Sequence, residues 1–509
     1  MKSSFKTYML MFGGIPAKPT GLATSVIRRS NAFSAANIEN EILVHDWYIN
    51  YDESINYLQD TNQLNSNTTV RYLYNELGND MQRDDRKKID RKPQEEGWVA
   101  IQDKTRKNVY RCYKEGLYLQ FKWYNDEGDL LFIDHLLPNF TRDKREWFDS
   151  KGYIRKVEYM DFNTNSPVRV LYLNKQGKCF LTVSRNPKSN ATNQIIYFDE
   201  NGHFKAEFKN EKEMLYYWLA HYILVEKDKK MALISEYGFN RLQLQKLESQ
   251  IKNLNVIYTF HSNHFAAPYL LGSPIRNDQK DFFNHISEYS AVVFLTEEQR
   301  ADVGTQYGNS DKYYAIPHHA PKVVRENVKR DAMKVVLVGR YEKIKNQDHA
   351  IKAFKKVVEQ IPEAKLELYG RGSEELNLRK LITDLELEKN VELKGFSDDV
   401  YSVFFNSALS IVPSEYEGIC LSLMESMSAG CVPISYNFKY GPKDIITHNT
   451  DGMIVQKGDI NELANAIIDL LNNSQKRNSM SIEAMKITDK FSENKLVDDW
   501  KKLFEEVLN

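Results

Sequence analysis

The stretch "KVVLVGRYEKIKNQDHAI", residues 334–351, decides the fold. It opens with a short apolar run closed by glycine and ends at the start of a helical pattern, so it reads as a buried strand turning into a helix. The same grammar recurs downstream. "KLELYG" (365–370), "VELKG" (391–395), "ALSIVPS" (408–414) and "CVPISY" (431–436) are strand-like, and 346–361 and 373–388 are helical stretches between them. Such alternation predicts a parallel sheet with helices on both faces and binding crevices at the carboxyl ends of its strands. Residues 460–473 and 476–508 read as two closing helices.

Towards the N-terminus a second alternation is visible. "YMLMF" (8–12) leads through "GGIPAKPTG" into a helix over about 22–35 and then "EILVHDW" (41–47); after a gap come "KKMALISEY" (229–237), "NVIYTFHS" (255–262), "SAVVFLT" (290–296) and "KYYAIP" (312–317). The chain therefore reads as α/β, two doubly wound domains facing a cleft. The gap, about 80–210, is different. Four polar turns end at Gly128, Gly152, Gly177 and Gly202, spaced 24, 25 and 25 residues apart and flanked by aromatic, β-rich segments. That period predicts an antiparallel β-meander inserted in the first domain. Its exposed edges favour self-association or guidance of an acceptor. The charge run "QRDDRKKIDRK" (82–92) reads as solvated.

The expected division is 1–79 and 211–320 for the two parts of the first Rossmann-like domain, 80–210 for the insertion, 321–480 for the second domain and 481–509 for a closing helix. With 42% hydrophobic and 27% charged residues, a chain of 509 residues has ample material for several cores. Its 69 basic and 70 acidic residues give a net charge of −1, so no global field recruits nucleic acid or anionic lipid. Cys112, Cys179, Cys420 and Cys431 lack metal-site spacing and read as reduced thiols. "YMLMF" is too short for a signal core or a membrane span, so a soluble, cytoplasmic protein is expected.

The chemistry gathers at strand ends. In "SEYEGICLSLMESMSAG" (414–430), Glu417 follows a strand and Glu425 lies one turn inside the next helix. The backbone N–H groups near Cys420, Leu421 and Ser422 make a helix start suited to a diphosphate. A lone pair of glutamates at this spacing is weak evidence, but Arg340 and Lys345 follow another strand end, where two cations suit a leaving diphosphate. No Asp-x-Asp occurs in the chain, so cations and helix N–H groups are expected to replace a metal. "GGIPAKPTG" is neither a dinucleotide fingerprint nor a phosphate-binding P-loop, which weakens an NAD-dependent reading. "FHSNHF" places His261 and His264 past a strand, and at least one is expected to contact substrate. His318 and His319 read as structural.

At these residues the sequence resembles the retaining glycosyltransferases of family 4, with the two-domain GT-B fold. The family's Glu-x7-Glu element is similar to Glu417 and Glu425, its basic pair to Arg340 and Lys345, and its N-terminal glycine loop to "PTGLATS". "GGIPAKPTGLATSVIRRS", the β-rich insertion, "FLTEEQ", "LKGFSDD" and "KYGPKDII" resemble the Gram-positive subgroup that adds α-linked sugars to wall teichoic acid. One departure is plain: Cys420 stands where the family commonly has a second glycine.

The resemblance implies transfer of glucose or N-acetylglucosamine from a UDP-sugar, with retention and front-face attack, to a polyol-phosphate chain. It implies that Gly21 approaches the diphosphate and sugar, Arg340 and Lys345 hold the diphosphate, Glu417 contacts the sugar and Glu425 the ribose. Gly395 and Phe396 would flank the uracil, and His264 would lie near the sugar. No cofactor or metal is expected. Peripheral association with the inner membrane face, and a dimer or trimer formed through the insertion, complete the expectations. The rival readings are transfer to serine-rich surface adhesins and a non-catalytic polymer-binding scaffold.

Overall fold

The computed structural model describes residues 5–80, 85–308, 310–326 and 329–508. Residues 82–84 of the charge run, and the outermost residues of the expected terminal domains, lie outside the described residues. The chain divides into two compact units, Met1–Leu233 with Asn240–Leu254, and Ile234–Phe239 with Asn255–Asn509.

The first unit begins with parallel strands Phe5–Met11, Asn40–Val44 and Thr69–Tyr72, in registers that set Thr7 beside Asn40 and Glu41 beside Thr69. Helix Leu22–Ala35 buries Val26, Ile27 and Phe33, the helical spacing of one apolar stripe. The unit also holds a ten-stranded antiparallel sheet running from Val99–Gln102 to Phe204–Phe208, each strand paired with its neighbours in sequence. Gly128, Gly152, Gly177 and Gly202 have φ of +89°, +81°, +77° and +82°. In each turn the glycine N–H donates to the carbonyl three residues earlier. The periodic glycines thus mark tight hairpins, as their spacing predicts.

The second unit contains parallel strands Ala291–Phe294 and Tyr313–Ala315 and a six-stranded parallel sheet. The order of that sheet is Val391–Gly395, Lys365–Tyr369, Asp331–Val338, Ser407–Val412, Val432–Tyr436, Met453–Val455. Helix Gln347–Gln360 covers it with Ile351, Phe354 and Val357, and Leu423, Ile467 and Leu470 extend the same core. The α/β class, with Rossmann-like parallel strands and an inserted antiparallel sheet, is as the sequence predicts.

Two details differ. The closing segment 476–508 is three helices, Ser474–Met485, Ile487–Lys490 and Glu493–Leu508, with Ser492 Oγ accepting from the Lys495 N–H at 3.3 Å to start the last. The strands Thr69–Tyr72 and Met453–Val455 are additional to the expected set; at four and three residues they carry too little apolar periodicity to stand out.

Candidate active site

In the six-stranded sheet the strand order reverses between Asp331–Val338 and Ser407–Val412, which are neighbours although far apart in sequence. Loops leaving two such strands on opposite sides open a crevice at their carboxyl ends. Arg340 and Lys345 belong to one of these loops and Glu417 and Cys420 to the other. The loops are tied together: the Glu415 N–H donates to the Ile344 carbonyl at 2.7 Å, and Asn346 Nδ2 to the Pro413 carbonyl at 3.0 Å.

Across this seam Lys345 Nζ forms an ion pair with Glu417 Oε1, which also accepts from Ser414 Oγ at 2.9 Å. Burial pulls the Lys345 ammonium down, but the Glu417 carboxylate more than offsets it and holds the group above its ordinary value. Arg340 is placed differently from its expected partner cation. Its side chain is 65% exposed and pairs with Glu342, while its charge still reaches Lys345.

Helix Leu421–Ser428 is preceded by Cys420, as expected for its start, and is followed by Gly430 with φ of +66°. Glu425 is buried inside it. Cys420 is also buried, adopts φ −86° and lies 3.3 Å from Ser422 Oγ, so this position needs no glycine. Burial, with the Glu417 charge, pushes its thiol up to about 11. Gly418 is required sterically: a Cβ there would collide with the His261 carbonyl.

His264 is fully buried beside this seam. Gln299 Nε2 donates to the Ser262 carbonyl at 2.8 Å and faces His264 Nδ1 at 3.3 Å. An amide nitrogen only donates, so Nδ1 is the acceptor and the proton sits on Nε2. Nε2 is buried with no hydrogen-bond partner among the described residues. Burial, reinforced by the Lys439 charge, lowers the imidazole to about 3, leaving a neutral N–H donor. Lys439 is itself held by Asp302 at 2.5 Å and Glu298 at 3.1 Å, and the Tyr440 hydroxyl donates to the same Asp302 at 2.8 Å. The Glu417 N–H donates to the Lys439 carbonyl at 3.3 Å and the Tyr440 N–H to the Glu417 carbonyl at 3.1 Å, so this network is bonded directly to the glutamate loop.

Gly395 ends its strand with φ +75°, and its carbonyl accepts from the Gly370 N–H at 2.8 Å. Phe396 follows, half-buried, with the Arg371 guanidinium 5.9 Å from its ring centre. His261 is turned to buried Glu236 at 2.8 Å, which favours a structural role for that histidine. Gly21 lies in the first unit at the start of helix Leu22–Ala35, with φ +52° and open space where a Cβ would stand. The sequence assigns no role to Gln299, Lys439, Asp302 and Tyr440, although "FLTEEQ" and "KYGPKDII" contain three of them. Their partners are 35 to 138 residues away, and only the Thr296 cap of helix Glu297–Tyr307 marks Gln299 locally.

Residues 322–487 match the family described as Glycosyl transferases group 1. The chain is similar to the poly(glycerol-phosphate) alpha-glucosyltransferase of Bacillus subtilis (strain 168), 26% identical over 509 residues, covering 97% of this chain and 74% of that protein. It is similar also to the poly(ribitol-phosphate) alpha-N-acetylglucosaminyltransferase of Staphylococcus aureus (strain COL), 24% identical over 508 residues, covering 98% and 99%. Among solved structures, a mutant of S. aureus TarM in complex with fondaparinux, alpha-GlcNAc-glycerol and UDP shares the fold with a TM-score of 0.82 at 22% identity, over 98% of this chain and 99% of that one. Among the described residues no helix is long and apolar enough to cross a membrane.

Proposed function

We propose that this chain, which carries a group 1 glycosyltransferase domain and shares the GT-B fold, moves glucose or N-acetylglucosamine from a UDP-sugar to hydroxyls of a wall teichoic acid chain, forming an α-linkage. The observation that carries the donor side is the meeting of Lys345 and Glu417 across the switch-point seam, beside the start of helix Leu421–Ser428. Likeness to two polyol-phosphate glycosyltransferases over almost the whole chain supports the acceptor.

In this reading Lys345 and Arg340 meet the diphosphate, aided by N–H groups of residues 420–422, and no divalent ion is needed. Glu417 takes sugar hydroxyls, Glu425 the ribose, and His264 donates its Nε2–H to the sugar. Gly395 and Phe396 flank the base, and Gly21 approaches the donor from its loop. The acceptor oxygen attacks C1 from the side on which the nucleotide departs. The C1–O bond to phosphate breaks, the new C1–O bond forms, and the acceptor proton passes to the leaving diphosphate oxygen. The cations act chiefly on the charge that grows there.

The test is nucleotide release by the purified protein with a panel of nucleotide sugars, offered poly(glycerol phosphate), poly(ribitol phosphate) or a serine-rich peptide, with and without chelator. Release with a UDP-hexose and either polymer supports the reading; transfer only to the peptide replaces it with the adhesin reading; loss of activity with chelator overturns the metal-free mechanism.

The proposal includes cytoplasmic residence at the inner membrane face, which fractionation would test, and a dimer or trimer formed through the insertion. The last strand of its sheet, Val99–Gln102, is an edge with Val99 59% and Ile101 54% exposed. Sedimentation of an Ile101→Lys variant should show smaller species than the parent.

A further inference from the structure

The ten-stranded sheet has two chemically different faces. Along one, residues 85–98 run as a strap. The Ile89 N–H donates to the Lys151 carbonyl at 2.8 Å, the Arg91 guanidinium lies 5.3 Å from the centre of the Phe148 ring, and Lys122 Nζ reaches Glu95 at 2.5 Å. This side holds the buried cluster of Tyr124, Leu130, Ile133 and Phe148.

The other face carries a row of rings. Cross-strand register sets Trp123 opposite Phe132 and Phe132 opposite Trp147, with ring centres 5.7 and 5.1 Å apart; Trp47 continues the row 6.0 Å from Trp147. Cations lie over it. Arg106 is 5.9 Å from the Trp123 centroid, Arg145 4.0 Å from that of Phe132 and Lys156 4.1 Å from that of Trp47. The carboxylates here are outnumbered. Asp103 pairs with both Arg106 and Arg111, Asp134 with both Arg142 and Arg145, and Glu158 with Lys156, five cations against three carboxylates.

Rings that serve packing alone are closed over by other apolar groups. Phe132 is closed over in this way, but Trp123 is 37% exposed, and the side chains of Arg106 beside it and Arg111 opposite Phe121 are 49% and 47% exposed. Ring faces next to surplus guanidinium groups match a ligand that alternates CH-rich polyol or sugar segments with phosphates: the former stack on aromatic faces and the latter take forked N–H donors.

We infer that this face of the insertion is a binding track for a phosphodiester-linked polyol chain, gripping units other than the one that receives the sugar. The inference rests on the acceptor proposed above. It assigns to Trp123, Arg106 and Arg111 the task of retaining polymer, so that long chains are bound more tightly than single units.

The test is calorimetric titration of the full chain, its Trp123→Ala variant and its Arg106→Ala/Arg111→Ala double variant with poly(glycerol phosphate), alongside KM for the polymer and for a single glycerol-phosphate unit. Trp123→Phe and thermal melts control for folding. The expected result is a Kd about ten-fold weaker in each variant, with Trp123→Phe close to the parent. In the double variant, the salt dependence of binding falls by about one to two in logarithmic slope. The polymer KM should rise in parallel while the single-unit KM moves far less. Equal polymer affinity in parent and variants overturns the track, and if sugar is still transferred to polymer the proposed function survives. Track-dependent binding without sugar transfer overturns the proposed function instead. A parent that binds a polyanion of another class, such as single-stranded nucleic acid, but not the polyol phosphate, overturns the track's assignment.

Discussion

Lys345 and Glu417 form an ion pair between two strand-end loops although 72 residues separate them along the chain. The pairing places a cation and a carboxylate at one seam of the second unit's sheet. It also fixes the Lys345 ammonium in its charged state, because the carboxylate opposes burial.

Replacing Lys345 with alanine should lower turnover of the UDP-sugar by roughly 10²-fold or more, the effect of removing a charge-stabilising donor. Steady-state kinetics on a variant with a normal circular dichroism spectrum checks this. Near-normal turnover would sink the assignment of Lys345 to the diphosphate.

His264 should produce an acid limb in stability rather than in catalysis. The unfolded chain takes up a proton near the usual 6.5, whereas the folded imidazole resists until about 3. Stability is therefore full above pH 6.5 and drops as pH falls from there towards 3, by about 1.4 kcal/mol per pH unit. Urea midpoints across that window should decline less steeply in a His264→Gln variant.

Gln299→Glu should invert the His264 tautomer, since a carboxylate accepts a proton from Nδ1 and leaves Nε2 as an acceptor. The expected outcome is a loss of roughly ten- to hundred-fold in kcat/KM, as for a residue that orients an active-site histidine. A new pH dependence near neutrality should accompany it. Nitrogen chemical shifts of labelled histidine read the tautomer directly, and an unchanged ring would refute the positioning role.

Cys420 should resist alkylation. Burial and the neighbouring Glu417 keep its thiol protonated at neutral pH, so iodoacetamide followed by peptide mass spectrometry should find it unmodified until the chain is unfolded.

The hairpin glycines should differ in sensitivity. Alanine at Gly128, Gly177 or Gly202 meets open space and only the left-handed backbone, costing about 1–2 kcal/mol. At Gly152 the added Cβ would also collide with the Ile89 carbonyl of the strap, so chemical denaturation should show a clearly larger loss.

Much of this architecture is legible in the sequence because buried parallel strands are short apolar runs stopped by glycine or proline, as at Lys365–Tyr369 and Val391–Gly395. The meander declares itself through glycines that only a positive φ explains. What local pattern could not reveal is pairing. Nothing near Gln299 announces Ser262 and His264 as its partners, and Arg340 follows a strand end like Lys345 yet turns outward to Glu342. The break in the closing helix was announced by Ser492, a hydroxyl cap that apolar periodicity overran.

The strap along one side of the insertion has an evolutionary consequence. Because it covers the apolar side, the opposite face can leave Trp123, Arg106 and Arg111 open to solvent, and these three positions can be exchanged at little cost to the fold, whereas buried Phe132 cannot. Diversification among relatives should concentrate at those open positions, where a changed ring or charge would retune which polymer is gripped while the transfer chemistry stays as it is.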